Sequence, residues 1–213
     1  MNTHFDFFTW YNYEATKEEQ ALSDKVSEFE EFFHDMMFEP GTSSGKLIRV
    51  KMKSPEEDEW SETDMDIPEY LTYEPYQFCR FIVSQPENGS NGYFDSKNQI
   101  ICIAPEYSKN DSIILHEMIH MHEFVVNEYP IFYHDSLLWI LYSDLKNKIP
   151  ELDTIINEHA HILNETTLYE CGGLHDILFL LKSFDLDVKK GYPLGTVFGY
   201  GMTDDLKEYS YKI

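Results

Sequence analysis

Apolar residues first recur at helical spacing. Leu22, Val26, Phe29, Phe33 and the Met36/Met37 pair form one stripe, opened by the capping-box pattern Thr16-Lys17-Glu18-Glu19 and closed by Pro40-Gly41. An amphipathic first helix is expected there. The period then shortens to two over Lys46 to Lys53, with Ile48, Val50 and Met52 alternating with Arg49, Lys51 and Lys53, the pattern of a half-exposed strand. The acidic stretch from Glu56 to Asp66 reads as a charged loop or solvated face. Tyr76 to Ser84 and Tyr93 to Ala104 supply further strands, the second containing the turn-like Asp95-Ser96-Lys97-Asn98 and the unbroken apolar run Ile100 to Ala104.

After these strands the pattern becomes helical to the end. A helix is expected from about Asp111, capped by Asp111 or Ser112 and uninterrupted until Pro130. Ser136 to Ile149 and Leu152 to Leu168 follow, separated by Pro150, and a short helix Leu174 to Phe184 precedes a tail punctuated by Gly191, Pro193, Gly195, Gly199 and Gly201. No internal repeat, low-complexity tract or long linker divides the chain. The expected fold class is α+β, with one domain over 1–213: a small mixed or antiparallel sheet packed on the helix after Asp111, and additional C-terminal helices.

The 213 residues are 42% apolar and 15% aromatic, enough for one sizeable core. Sixteen basic against 39 acidic residues give a net charge of −23, a field that repels nucleic acid and anionic membrane surfaces. Neither is an expected partner. Cys79, Cys102 and Cys171 are odd in number and lack C-x-x-C spacing, so they read as free thiols of a reducing, cytoplasmic compartment. No leader pattern or membrane-length apolar run is expected from the sequence.

The chemistry is concentrated in His116-Glu117-Met118-Ile119-His120. At about 100° per residue, two histidines four apart lie roughly 40° apart on one helix face, so both imidazoles can reach one ion. Glu117 flanks the same point as a non-ligating carboxylate. This H-E-x-x-H pattern, inside an apolar helix and after a strand able to hold an extended peptide, points to zinc and to peptide hydrolysis. Zinc-activated water would attack, with Glu117 as general base. A third ligand must come from elsewhere. Glu123 and Val126 occupy the places where metzincins carry glycine and histidine, which excludes that subclass. His122 faces away from the metal stripe, and Glu123 suits support or substrate contact. His159, His161, Glu165, Glu170 and His175 remain as candidates. Tyr169, Tyr192 and Tyr200 are candidate oxyanion donors, and the glycine-rich tail is a candidate cleft wall.

Leu115 to His120, followed by Gly173-Leu174-His175-Asp176-Ile177-Leu178-Phe179, resembles the SprT-like metalloproteases, whose relatives include the Spartan proteases that cut DNA-crosslinked proteins. The resemblance covers two short motifs and the preceding strand, about a third of the chain. It implies a zincin-like fold, a peptide or protein substrate, and His175 as third zinc ligand beside His116 and His120. Glu170 would instead make the site gluzincin-like, and Glu165 is the next rival. Two features depart from the family: Asp176 stands where glycine is usual, and 55 residues separate His120 from His175. The acidic balance argues against DNA-linked substrates.

Two other classes compete. Glu117-x-x-His120 and Glu158-x-x-His161 resemble the paired motifs of di-iron carboxylate bundles, although the strands fit a bundle poorly. A non-catalytic acidic binding or decoy protein would use the charge of −23 and have no need of the H-E-x-x-H register.

Overall fold

The computed structural model describes residues 14–36, 48–53, 60–65, 80–86, 89–127, 131–159, 175–199 and 205–212. It is a mixed α+β structure. Helix α1 (Lys17–Phe29) starts with the expected capping box: the Thr16 hydroxyl accepts from Glu19 N, and Glu19 Oε2 accepts from Thr16 N at 2.8 Å. Its apolar stripe, Leu22, Val26 and Phe29, is fully buried, and the chain continues as a 3₁₀ turn over Glu30–Met36.

Strand β1 (Ile48–Lys53) pairs antiparallel with β2 (Trp60–Met65). This corrects the reading of the acidic stretch as a loop throughout. The register sets Arg49 opposite Asp64 and Lys51 opposite Glu62.

The second sheet has the order β3-β5-β4. Strand β3 (Arg80–Val83) runs parallel to β5 (Ile100–Ile103), and β4 (Gly92–Asp95) runs antiparallel to it along the edge. The expected Asp95 to Asn98 turn joins β4 to β5. Asp95 Oδ1 accepts from the backbone N–H groups of Lys97 and Asn98, and Gln99 adopts φ 53°. Every residue of β5 is buried.

Helix α2 (Asp111–Asn127) packs against this sheet. Asn110 is its cap, rather than Asp111 or Ser112, because Asn110 Oδ1 accepts from Ser112 N and Ile113 N. Helix α3 (Ile131–Lys148) begins five residues earlier than the apolar pattern indicated, and α4 (Leu152–His159) follows. Helix α5 (Ile177–Lys190) is longer than expected. Asp176 caps it by accepting from Phe179 N at 2.8 Å, and Gly191 ends it at φ 70°. The segment 160–174 lies outside the described residues.

One core joins these layers: Leu22, Val26 and Phe29 of α1, Ile101 and Ile103 of β5, Ile114, Leu115 and Met118 of α2, and Phe179, Leu181 and Phe184 of α5. Charged groups clip the layers at the edge of that core. Asp111 pairs with Lys25 of α1 and, at 3.4 Å, with Lys190 of α5. Among the described residues no helix is long and apolar enough to cross a membrane.

Candidate metal and catalytic site

Helix α2 buries five titratable side chains. His116, Glu117, His120, His122 and Glu123 are exposed by 3%, 2%, 8%, 1% and 3%. Burying such groups costs several kcal/mol in principle unless each finds a partner, so their density marks a purpose beyond packing.

Two of the five are accounted for by structure. His122, which the sequence left as either solvent-facing or packing, is buried and stands against Phe33 with ring centroids 5.7 Å apart. Glu123 pairs at 3.4 Å with Lys182 of α5, itself fully buried, and burial still raises the Glu123 carboxyl to about 7. A buried pair of this kind compensates two charges that would otherwise be stranded in the core.

The other three, with His175, form the site. One nitrogen from each of His116, His120 and His175 lies within 4.8 Å of the others. His116 Nε2 and His175 Nε2 are 3.1 Å apart. Three imidazoles on a tetrahedral ion, with bonds of about 2.0–2.1 Å, sit about 3.3 Å from one another, so this pair already has the spacing of ligands. Phe179, one helical turn after His175, packs on all three rings at centroid distances of 4.8, 4.7 and 4.6 Å and forms an apolar floor. Phe198 closes the side next to His175.

The imidazoles are electrostatically suited to ligation. Burial, with His175 alongside, pushes His116 down to about 4, burial holds His120 well below the ordinary value, and burial lowers His175. Each shift favours the neutral imidazole, the form that binds metal. His116 Nδ1 lies 2.9 Å from the carbonyl oxygen of Val197, an acceptor that directs Nε2 into the site. His120 Nδ1 is buried without a hydrogen bond.

Val197 is held in turn by Asp187 of α5, whose Oδ1 accepts from Val197 N at 3.0 Å. Burial raises the Asp187 carboxyl to about 8, against backbone hydrogen bonds from Val197, Gly195 and Thr196. Part of the glycine-rich tail therefore does reach the site, through a backbone carbonyl that residue types alone cannot reveal.

Glu117 follows His116 on α2 and sets its carboxyl against the edge strand β4. Its carboxylate takes a hydrogen bond from the backbone of Phe94, and Oε2 is buried without a partner. Burial raises this carboxyl to about 8. Gly92 makes the approach possible: a Cβ there would lie 2.9 Å from Ile103 Cδ1 and 3.0 Å from Glu117 Oε1. Because Asn91 O accepts from Ala104 N, the alternation of an antiparallel ladder turns the backbone of Gly92 and Phe94 away from β5, toward the edge that no described strand covers.

His161, Glu165, Glu170, Tyr169, Tyr200, Cys79 and Cys171 lie outside the described residues, as does the side chain of His159. Cys102 is a buried free thiol near Ser84. Tyr192 directs its hydroxyl to Asp111 rather than to the histidines. Glu158 is exposed and accepts from Tyr209, away from Glu117. Lys182, Asp187 and Val197 were not legible as site residues. The only signal for Lys182 was a lysine within the apolar run of α5.

No protein-family model, curated protein or solved structure matches the chain. The functional reading rests on the geometry.

Proposed function

We propose that the chain is a zinc-dependent metallopeptidase of zincin type, with His116, His120 and His175 as ligands and Glu117 as general base. The observation that carries this reading is the convergence of three imidazole nitrogens within 4.8 Å of one another, two of them from the helix that also buries the unpartnered Glu117 Oε2. The donor set favours zinc over hard cations, which prefer oxygen ligands. When bound, zinc supplies a Lewis acid that activates water and polarises the scissile carbonyl.

The protein's own residues do the rest. Of the outward backbone groups on β4, Gly92 O already accepts from Ser90 Oγ and the Phe94 backbone already donates to Glu117, so Gly92 N–H and Phe94 O are the groups that would hold an extended peptide. Glu117 Oε2 accepts a proton from the attacking water and returns it to the amine that leaves. Glu117 must be ionised for the first of these transfers: burial raises its carboxyl to about 8, and a cation held by the histidines would lower it again. The apolar floor of Phe179 and Phe198 limits competing solvent. The SprT-like resemblance supports His175 and Phe179 in these places, and a cytoplasmic, peptide-directed enzyme fits the charge and cysteine pattern.

Elemental analysis joined to a casein cleavage assay tests the proposal. One zinc per chain is expected, lost in His116→Ala. Glu117→Gln should keep zinc and lose activity by roughly 10²–10⁴-fold, the size of a general-base contribution. A chain that binds no zinc and is unaffected by Glu117→Gln is instead an acidic binding protein.

A further inference from the structure

Helix α5 carries no amphipathic cue to its own placement. Every residue from Leu178 to Asp187 is buried, so apolar burial, which has no direction, would accept several rotations and axial positions of this helix. The histidine site is far less tolerant. A slide of one helical turn is about 5.4 Å, enough to carry His175 out of the 3.1 Å spacing that its Nε2 keeps with His116 Nε2. A directional contact between α2 and α5 is needed to select one register.

One charged contact between these helices, Asp111 with Lys190, joins the start of α2 to the end of α5, where both side chains are part-exposed and Asp111 is shared with Lys25. Another, Glu123 with Lys182 at 3.4 Å, lies inside the core, with Lys182 fully buried. Positions 116, 120 and 123 fall on one stripe of α2, and Lys182 continues the line of His175 and Phe179. The contacts follow those lines: His175 meets His116, Phe179 packs on His116 and His120, and Lys182 meets Glu123. We propose that Glu123 and Lys182 are positioning residues, whose buried ion pair fixes the register of α5 against α2 and so brings His175 to His116 and His120.

Stability alone does not account for the pair. The attraction between two buried charges roughly repays their desolvation, and well-packed apolar residues of similar volume often serve stability as well or better. What apolar residues do not supply is a preferred partner, and setting register is the best-attested use of a buried polar contact. The polar neighbour of Lys182 on the helix, Ser183, gives its hydroxyl to Phe179 O at 2.8 Å, a bond within α5 rather than across to α2. The consequence for zinc rests on the peptidase reading, which makes the three imidazoles ligands; the register itself does not.

The test compares the wild type with the double variant Glu123→Leu, Lys182→Met, which removes both charges at nearly constant volume. Proton NMR on the metal-free full chain at pH 8 should show a nuclear Overhauser contact between the His116 and His175 rings in the wild type. The double variant should lose or weaken that contact while still unfolding cooperatively in denaturant. Cobalt(II), a spectroscopic stand-in for zinc, gives the second readout. The double variant should bind it about 10–100-fold more weakly and with altered visible absorption, because the ligand geometry has moved. Glu123→Gln, which removes one charge at constant volume, should give a smaller loss in the same direction and decides the matter if the double variant fails to fold. Ring contact, cobalt affinity and absorption all unchanged in a folded variant overturn the proposal, even where stability falls, since the pair would then serve stability alone. A wild type without the ring contact overturns the register outright. A wild type that shows the ring contact and binds no cobalt overturns the metal reading, and the ring contact in the variants then judges the register.

Discussion

Gly92 shows how closely the edge strand and Glu117 are fitted. A methyl group at this position would meet Ile103 Cδ1 at 2.9 Å and Glu117 Oε1 at 3.0 Å, both below normal contact. Gly92→Ala should therefore destabilise the protein by about 1–3 kcal/mol, the usual cost of overpacking, as read from chemical denaturation. It should also lower turnover while leaving zinc content unchanged, because the displaced group is the base and not a ligand. Unaltered stability would mean that the strand is held less closely than the structure describes. At the same scale, His175→Ala should remove the third ligand and release zinc, measured by elemental analysis, without disturbing the Asp176 cap that starts α5.

At the scale of elements, α5 organises the site more than the motif helix does. Its cap follows His175, its first turns carry Phe179 and Lys182, and Asp187 near its end fixes the loop whose carbonyl faces His116. Asp187→Ala should weaken zinc binding about 10–100-fold, the typical cost of losing support behind a ligand, as measured by competition with a chelator. Asp187→Asn keeps an acceptor for Val197 N and isolates the charge. The folded carboxyl is raised from 3.8 to about 8, so between these values the folded state holds more proton than the unfolded state, and stability is lost as pH rises. Denaturation midpoints of the metal-free wild type should therefore fall relative to Asp187→Asn between pH 5 and 8. The sequence made the helix with His116 and His120 legible because both the periodicity and the ligand spacing are local. It also presented His175, through a short motif. The Asp187 to Val197 to His116 connection was not legible, because it runs through a backbone carbonyl and a contact 81 residues apart. The strand at Trp60 to Met65 was hidden for a related reason: its acidic composition reads as a loop until the backbone register with Ile48 to Lys53 is known.

For the whole molecule, the charge of −23 and the histidine cluster make different demands on cations. Self-repulsion among so many carboxylates opposes the compact state, so any dication stabilises the protein somewhat by screening. Binding at the three imidazoles is selective, since soft or borderline ions accept nitrogen ligands and magnesium does not. Zinc at 1,000 times its dissociation constant should add about 4 kcal/mol to the stability of the metal-free chain, beyond what an equal concentration of magnesium gives. His175→Ala should abolish that excess and retain the magnesium effect, because removing one neutral imidazole scarcely changes the field of the chain. Denaturation curves with each ion, for both proteins, separate the two contributions. Equal stabilisation by zinc and magnesium in the wild type would show that the histidines form no metal site and that only the acidic surface responds.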